Sequence, residues 1–209
     1  MSPTPSDAAP PSARFALVGG GGHALVVAAA GAGALAGYFD DDADAVVGRR
    51  LGLRRLGDLR SAGTSGLSLL IAVGDLGHRR RLIEALSGCG FSSLRAASAL
   101  IVQGATTGPG LFMGPGAVVQ AFAAVGAHAI INTGAIVEHE CEIGENVHIA
   151  PGAVLGGRAA VGADTLIGLG ARVLPGVRIG RRCTVGAGAV VIADVSDGVT
   201  VSGIPARAH

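Results

Sequence analysis

Lysine and tryptophan are absent from this 209-residue chain, and tyrosine occurs once. All sixteen basic residues are arginine, which excludes Schiff-base or any other lysine chemistry. Charged residues make up only 15% and the net charge is +1, so no electrostatic argument favours nucleic acid or a membrane surface as partner. The three cysteines (Cys89, Cys141, Cys183) form no C-x-x-C pair and leave an odd count, which suits a reducing, cytoplasmic location. Met1 to Ser12 is rich in Pro, Ser and Ala, with neither an apolar core nor a basic start. It reads as neither signal peptide nor membrane span, and residues 1–13 are expected to form a disordered tail.

What the chain has in abundance is glycine, 36 residues of it, within a composition that is 49% apolar. From Ala99 to Asp194 the sequence keeps a period of six. One residue in every six reads Ile101, Thr107, Met113, Val119, Val125, Ile131, Val137, Ile143, Ile149, Leu155, Val161, Ile167, Val173, Ile179, Val185 and Val191, with Thr107 the one polar exception. Two residues before each stands a small residue, mostly Ala, and one residue after each Gly dominates. A repeat this short cannot hold a helix pair, so it predicts a β-solenoid: each hexad is one short strand and a turn. The large aliphatic and the small residue point inward, and Gly relieves the bend. Three hexads closing one triangular coil stack residues eighteen apart, roughly 4.8 Å from one another. A disordered Gly/Ala tract would hold no such register.

Ahead of the solenoid, Arg14–Val18 reads as a strand, Gly19-Gly20-Gly21-Gly22-His23 as a loop, and Ala24 to about Ala32 as a helix. That order points backbone N–H groups at an anion, typically a phosphate. A second strand, Leu35–Phe39, runs into Asp40-Asp41-Asp42, where carboxylates can meet a ribose or a base edge. A third strand, Leu67–Val73, precedes a helix over His78–Leu86, whose Arg79, Arg80 and Arg81 are expected to solvate it. The pattern fits an α/β half-unit for one mononucleotide over residues 14–96, followed by the β-helix domain and its C-terminal tail over 97–209.

Departures from the hexad mark where chemistry is expected. The strongest is Asn132–Cys141, NTGAIVEHEC, where Asn132 and Glu138 replace the usual Gly and His139 and Glu140 stand together at a corner. Eighteen residues past His139 lies Gly157, so the stacking pairs a general base with an N–H donor for an oxyanion. His148, half a coil onward, is assigned to the same zone. His128 sits in a turn without a carboxylate neighbour and is expected to have no role. The spacing of His128, His139 and His148 puts them on different faces or corners, so no metal is expected.

The motifs VGGGGHA (Val18–Ala24), GYFDDD (Gly37–Asp42), IAVGD (Ile71–Asp75), NTGAIVEHEC, VHIAPGAVLGG (Val147–Gly157) and SGIPAR (Ser202–Arg207) together carry a resemblance. The chain resembles the left-handed β-helix, hexapeptide-repeat acetyltransferases of the sialic-acid O-acetyltransferase and nucleotide-amino-sugar N-acetyltransferase group. The resemblance implies a homotrimer with active sites between subunits and acetyl-CoA as co-substrate. It makes His139 the general base oriented by Glu140, with Asn132, His148 and Gly157 around the acetyl group. Gly19, Gly20, Gly21, Gly22, His23, Asp40 and Asp41 then hold the sugar nucleotide, and coenzyme A runs past Gly157, Leu169 and Ala187. The implied reaction is N-acetylation, at C4, of a nucleotide-linked amino sugar for surface-glycan synthesis. O-acetylation of a sialic acid is the alternative. A zinc-dependent hydratase and a non-catalytic sugar-nucleotide scaffold are the remote ones. Asp42 departs from the group, which often carries a polar or basic residue there.

Overall fold

The computed structural model describes residues 14–31 and 33–209; the tail expected over 1–13, and Ala32 at the end of the first helix, lie outside the described residues. Four parallel strands open the chain: β1 (Phe15–Val18), β2 (Leu35–Phe39), β3 (Arg55–Gly57) and β4 (Leu69–Ile71). Four helices connect and follow them: α1 (Gly22–Ala30), α2 (Val46–Leu51), α3 (Leu59–Ala62) and α4 (Leu76–Ala85). The sequence reading lacked β3, α2 and α3. Each is six residues or fewer, too short to show a period, and α3 is marked mainly by its Asp58 cap, which accepts from the Ser61 N–H.

The sheet order is β3-β2-β1-β4, so the chain crosses over β1 between β3 and β4. In such a sheet, ligands sit where the strand order reverses, outside the carboxyl ends of the flanking strands. Here that crevice lies between the ends of β1 and β4. Phe15, Leu17, Val27, Tyr38 and Val47 form the core on one side of the sheet, with Ala16, Val18, Phe39, Leu82 and Ile83 on the other.

The remaining chain is a three-sided coil of two-residue strands, joined in parallel ladders at a constant offset of eighteen, as in Ile131↔Ile149 and Ile149↔Ile167. One face carries Thr106–Thr107 to Arg178–Ile179, a second Leu94–Arg95 to Thr184–Val185, and a third Leu100–Ile101 to Val190–Val191. A final hairpin, Thr200–Gly203 with Ala206–Ala208, extends the second face. Both inward series form one continuous core, with Ile131, Val137, Ile149 and Leu155 alongside Ala117, Ala135, Cys141 and Ala153.

The glycines follow a different logic from the expected bend relief. A Cβ at Gly144 would come within 2.6 Å of the Ala163 nitrogen, so this series is small because the next coil's backbone lies against it. The left-handed backbone falls two residues later, as at Gly134 (φ 64) and Gly152 (φ 69).

The second face is where the two parts of the chain meet. Its outward residues Phe112 and Ile130 belong to the core of the α/β sheet. Helix α4 lies along the corner between the first and second faces, and of its three arginines only Arg81 stays exposed as expected. Arg79 is 1% exposed: Nε donates to Asn146 Oδ1 (2.9 Å), Nη1 to the carbonyls of Val73 (3.2 Å) and Ile71 (3.4 Å), and Nη2 to the His128 carbonyl. Burial holds its pKa down, at about 10, so it remains charged at neutral pH. Arg80 pairs with Glu145 (3.1 Å) and Asp164 (2.7 Å). His128, expected to have no role, is buried beneath this contact, with its ring edge-on to Phe91. Replacing Arg79 by Met would strand three buried acceptors and the part-buried Val73 carbonyl, each buried one costing about 1–3 kcal/mol when left unpaired. We expect a loss of about 3 kcal/mol or more in urea unfolding, with early proteolysis at the junction; unchanged stability would contradict the clamp.

Candidate active site

Two groups of residues emerge, and within one chain they do not meet. The first gathers at the crevice between β1 and β4. Gly19 (φ 104) packs against Val73, and its N–H donates to the Phe39 carbonyl (2.8 Å). Gly20 fits because a Cβ there would overlap Ala45 and the Tyr38 ring, and its N–H donates to Asp40 Oδ2 (2.6 Å). Half of the expected phosphate loop is therefore tied to the protein itself. Gly21 and Gly22 stay open, at the start of a helix that no side chain caps. The anion-binding expectation rests on these two and on the first turn of α1. The aspartates are engaged too: Asp40 Oδ1 accepts from the Asp42 N–H (2.8 Å), and Asp41 Oδ1 from the Leu59 N–H (3.0 Å).

His23, in the first turn of α1, points from this loop toward the coil. Its ring lies 5.5 Å from Phe112 and 6.1 Å from His148, and its Nε2 is buried without a partner among the described residues. His148 projects from the second face beside Gly74, whose carbonyl it meets, and its Nε2 lies 3.1 Å from Asn132 Nδ2. With the amide donating, that nitrogen is the acceptor. Both histidines are pushed down to about 4. For His23 the causes are burial, then His148, then Arg79; for His148 they are burial, then Arg79.

Both are therefore neutral at pH 7, while imidazoles in the unfolded chain take up protons below about 6.5. Stability from this pair should be complete above about pH 6.5 and be lost as pH falls toward 4. The thermal midpoint of the wild type should drop through that window, and the slope should flatten in His148→Asn. Equal slopes would show that His148 is not held neutral.

From His148 a cleft of about 510 Å³ climbs the coil past Ala150, Pro151, Leu166, Leu169, Thr184 and Ala187. Leu169, 58% exposed, and Ala187 thus share one groove with His148 and Gly74. Its apolar lining suits a flexible, largely uncharged arm with one polar end at the histidine.

The second group occupies the corner between the third and first faces, opposite the second. His139 Nδ1 lies 3.0 Å from Glu140 Oε2, and both side chains are about half exposed. With the carboxylate holding the Nδ1 proton, Nε2 is free to accept one. Gly157 stacks directly above: a methyl group there would overlap His139 Nε2 and come within 2.6 Å of Cε1. The adjacent Arg158 N–H is held by the His139 carbonyl (2.9 Å).

The single corner expected to hold Asn132, His139, Glu140, His148 and Gly157 is thus corrected. Nine residues are half of an eighteen-residue coil, which carries the chain from a corner to the opposite face. Gly157 likewise lies across the coil from the Leu169–Ala187 groove. Sequence reasoning missed Phe112 and Ile130. Their signal was legible, since both are large apolar residues at outward positions, where a solvated face would carry polar ones. Among the described residues, no three His, Cys, Asp or Glu side chains gather around a metal position, and no helix is long and apolar enough to cross a membrane.

Residues 122–157 and 158–193 match the model of the bacterial transferase hexapeptide (six repeats) family. The acetyltransferase domain of PglB from Neisseria gonorrhoeae is 34% identical over 95% of this chain and 100% of that one, with a TM-score of 0.87. PerB from Caulobacter crescentus, solved with CoA and GDP-perosamine, is 36% identical over 94% and 97%, with a TM-score of 0.85. WeeI from Acinetobacter baumannii, at 24% identity over 94% and 99%, shares the fold with a TM-score of 0.80. No curated protein sequence matches the chain.

Proposed function

The chain belongs to the bacterial hexapeptide-repeat acetyltransferases, and from that premise we propose that it N-acetylates the amino group, at C4, of a nucleotide-linked amino sugar with acetyl-CoA. The observation that carries the reading is the His139–Glu140 pair beneath Gly157, in a chain about one-third identical along most of its length to acetyltransferases, one of them solved with CoA and GDP-perosamine. Glu140 orients the imidazole, and His139 Nε2 takes the proton that the attacking amine gives up. The Gly157 N–H meets the oxygen on which charge collects as the thioester carbonyl becomes tetrahedral. The C–S bond then breaks, and the proton held by His139 is available to the departing thiolate. No cysteine nucleophile is needed: Cys141 is buried, and its burial pushes the thiol pKa up.

A second copy of the chain reunites the two residue groups. The outward row of the third face reads Leu100, Val118, Ile136, Val154, Arg172 and Val190, a strip that is apolar but for Arg172 and stays partly or fully exposed in the described chain. Turning this face toward a threefold axis sets the His139 corner of one copy against the Asn132–His148 corner of the next. That arrangement supports a homotrimer with three shared sites, in which coenzyme A follows the Leu169–Ala187 groove and the acceptor nucleotide meets the α1 loop. All three cysteines are free, which suits the cytoplasm.

The test is release of free thiol from acetyl-CoA across a panel of UDP-, GDP- and CMP-linked amino sugars, with light scattering for the mass. Absence of transfer to every member would sink the reading; a monomer with full activity would sink the shared site.

A further inference from the structure

The turn position with left-handed backbone is filled differently at the three corners. Between the second and third faces it is glycine in every coil: Gly116, Gly134, Gly152, Gly170 and Gly188. Between the first and second faces it is mostly not glycine, and two of the side chains there hold α4. Asn146 and Asp164 bond to Arg79 and Arg80, the carbonyl of His128 takes Arg79, and Arg182 lines the cleft beside Arg80. A non-glycine residue costs backbone energy at this position, so one retained there without an internal bond points to an external contact.

At the corner of His139 the same position holds Phe122 (φ 60), Glu140 (φ 59) and Arg158 (φ 60), stacked in successive coils. Glu140 has its use, in the bond to His139. Neither Phe122 nor Arg158 has a side-chain bond among the described residues, and the apolar one of the two is Phe122. It is 72% exposed, and its ring lies over Gly104, where a Cβ would come within 2.8 Å of it. Of the described non-glycine residues with positive φ, it is the one bulky apolar side chain, the type for which that conformation is least tolerated. It also lies one coil below Glu140, whose N–H donates to the carbonyl of the neighbouring Ala121 (3.1 Å).

The direction along the coil identifies the ligand. Coils below His139 carry Phe112 and Ile130, on which the α/β unit sits, whereas the groove of Leu169 and Ala187 climbs the opposite way. Building on the reaction proposed above, we propose that Phe122 determines specificity for the acceptor, its exposed ring forming the apolar floor against which the C–H face of the nucleotide-linked amino sugar packs beside His139. Sugar rings present such a face to aromatic side chains, and the contact is made in trans, to an acceptor held by the neighbouring copy's α1 loop.

Phe122→Gly and Phe122→Tyr in the full chain test this, with acceptor and acetyl-CoA varied separately and with mass and thermal midpoint measured in parallel. Phe122→Gly should raise KM for the acceptor about tenfold, the size of one lost aromatic contact. KM for acetyl-CoA should stay within about twofold, with the oligomer intact and the midpoint not lowered, since glycine accepts this φ. Phe122→Tyr should restore the acceptor KM. An unchanged acceptor KM in active Phe122→Gly overturns this inference alone. So does a rise accompanied by dissociation or a lower midpoint, which would make Phe122 a packing residue. Wild-type protein that acetylates no nucleotide-linked amino sugar overturns the proposed reaction, and this inference with it.

Discussion

His139→Ala is expected to lower turnover about 10²- to 10⁴-fold, the range for losing a positioned general base. The substitution removes the nitrogen that faces Gly157 and leaves Glu140 without the ring it orients. Because His139 is about half exposed and lies at a turn, the loss should leave folding almost untouched. Acetyl-CoA affinity should also persist, since the Leu169–Ala187 groove is lined from the second face and its corner, across the coil from His139. Steady-state thiol release and calorimetric titration with acetyl-CoA separate the two effects. Full activity in the variant would end the base assignment, and lost acetyl-CoA binding would mean that His139 holds the co-substrate instead.

Gly157→Ala should be nearly as damaging for a different reason. Its backbone is not left-handed, so alanine brings no torsional penalty, and the atoms nearest the added methyl group all belong to the imidazole below it. That methyl overlaps Nε2, the atom that has to receive the proton, so the ring must swing away. A displacement of about 1 Å at a catalytic group can cost on the order of 10²-fold, and we expect a fall in kcat of that size. The thermal midpoint should hold within a few degrees, because a side chain at the surface can move where buried backbone cannot. A variant with wild-type kcat would show that His139 does not work from beneath Gly157. One that unfolds would show that the site tolerates no methyl group for packing reasons alone.

The two parts of the catalytic apparatus differed in how legible they were. His139, Glu140 and Gly157 could be paired from the sequence because the stacking offset is a local property: three hexads per coil put residue 157 above residue 139 wherever the coil lies. The same arithmetic puts His148, nine residues on, half a coil from His139, but does not supply its neighbours. Its neighbours His23 and Gly74 come from the α/β unit, and nothing in a period of six says which face that unit covers. The glycine loop was legible as a strand–loop–helix, but not the donation of the Gly20 N–H to Asp40, which depends on β1 and β2 lying side by side. Arg79 is the clearest case. Three consecutive arginines on a polar helix read as a solvated face, yet one of them is buried because the helix lands on a corner offering an amide oxygen and a backbone carbonyl.

By itself the sequence determined the coil, its inward residues and the corner of the general base, because a rigid short repeat converts spacing directly into position. Tertiary structure alone decided which face the α/β unit covers, how Arg79 joins the two, and that His148 meets His23 and Gly74. Those outcomes depend on contacts between residues some fifty to a hundred and thirty apart, where packing and burial, not periodicity, choose the partner.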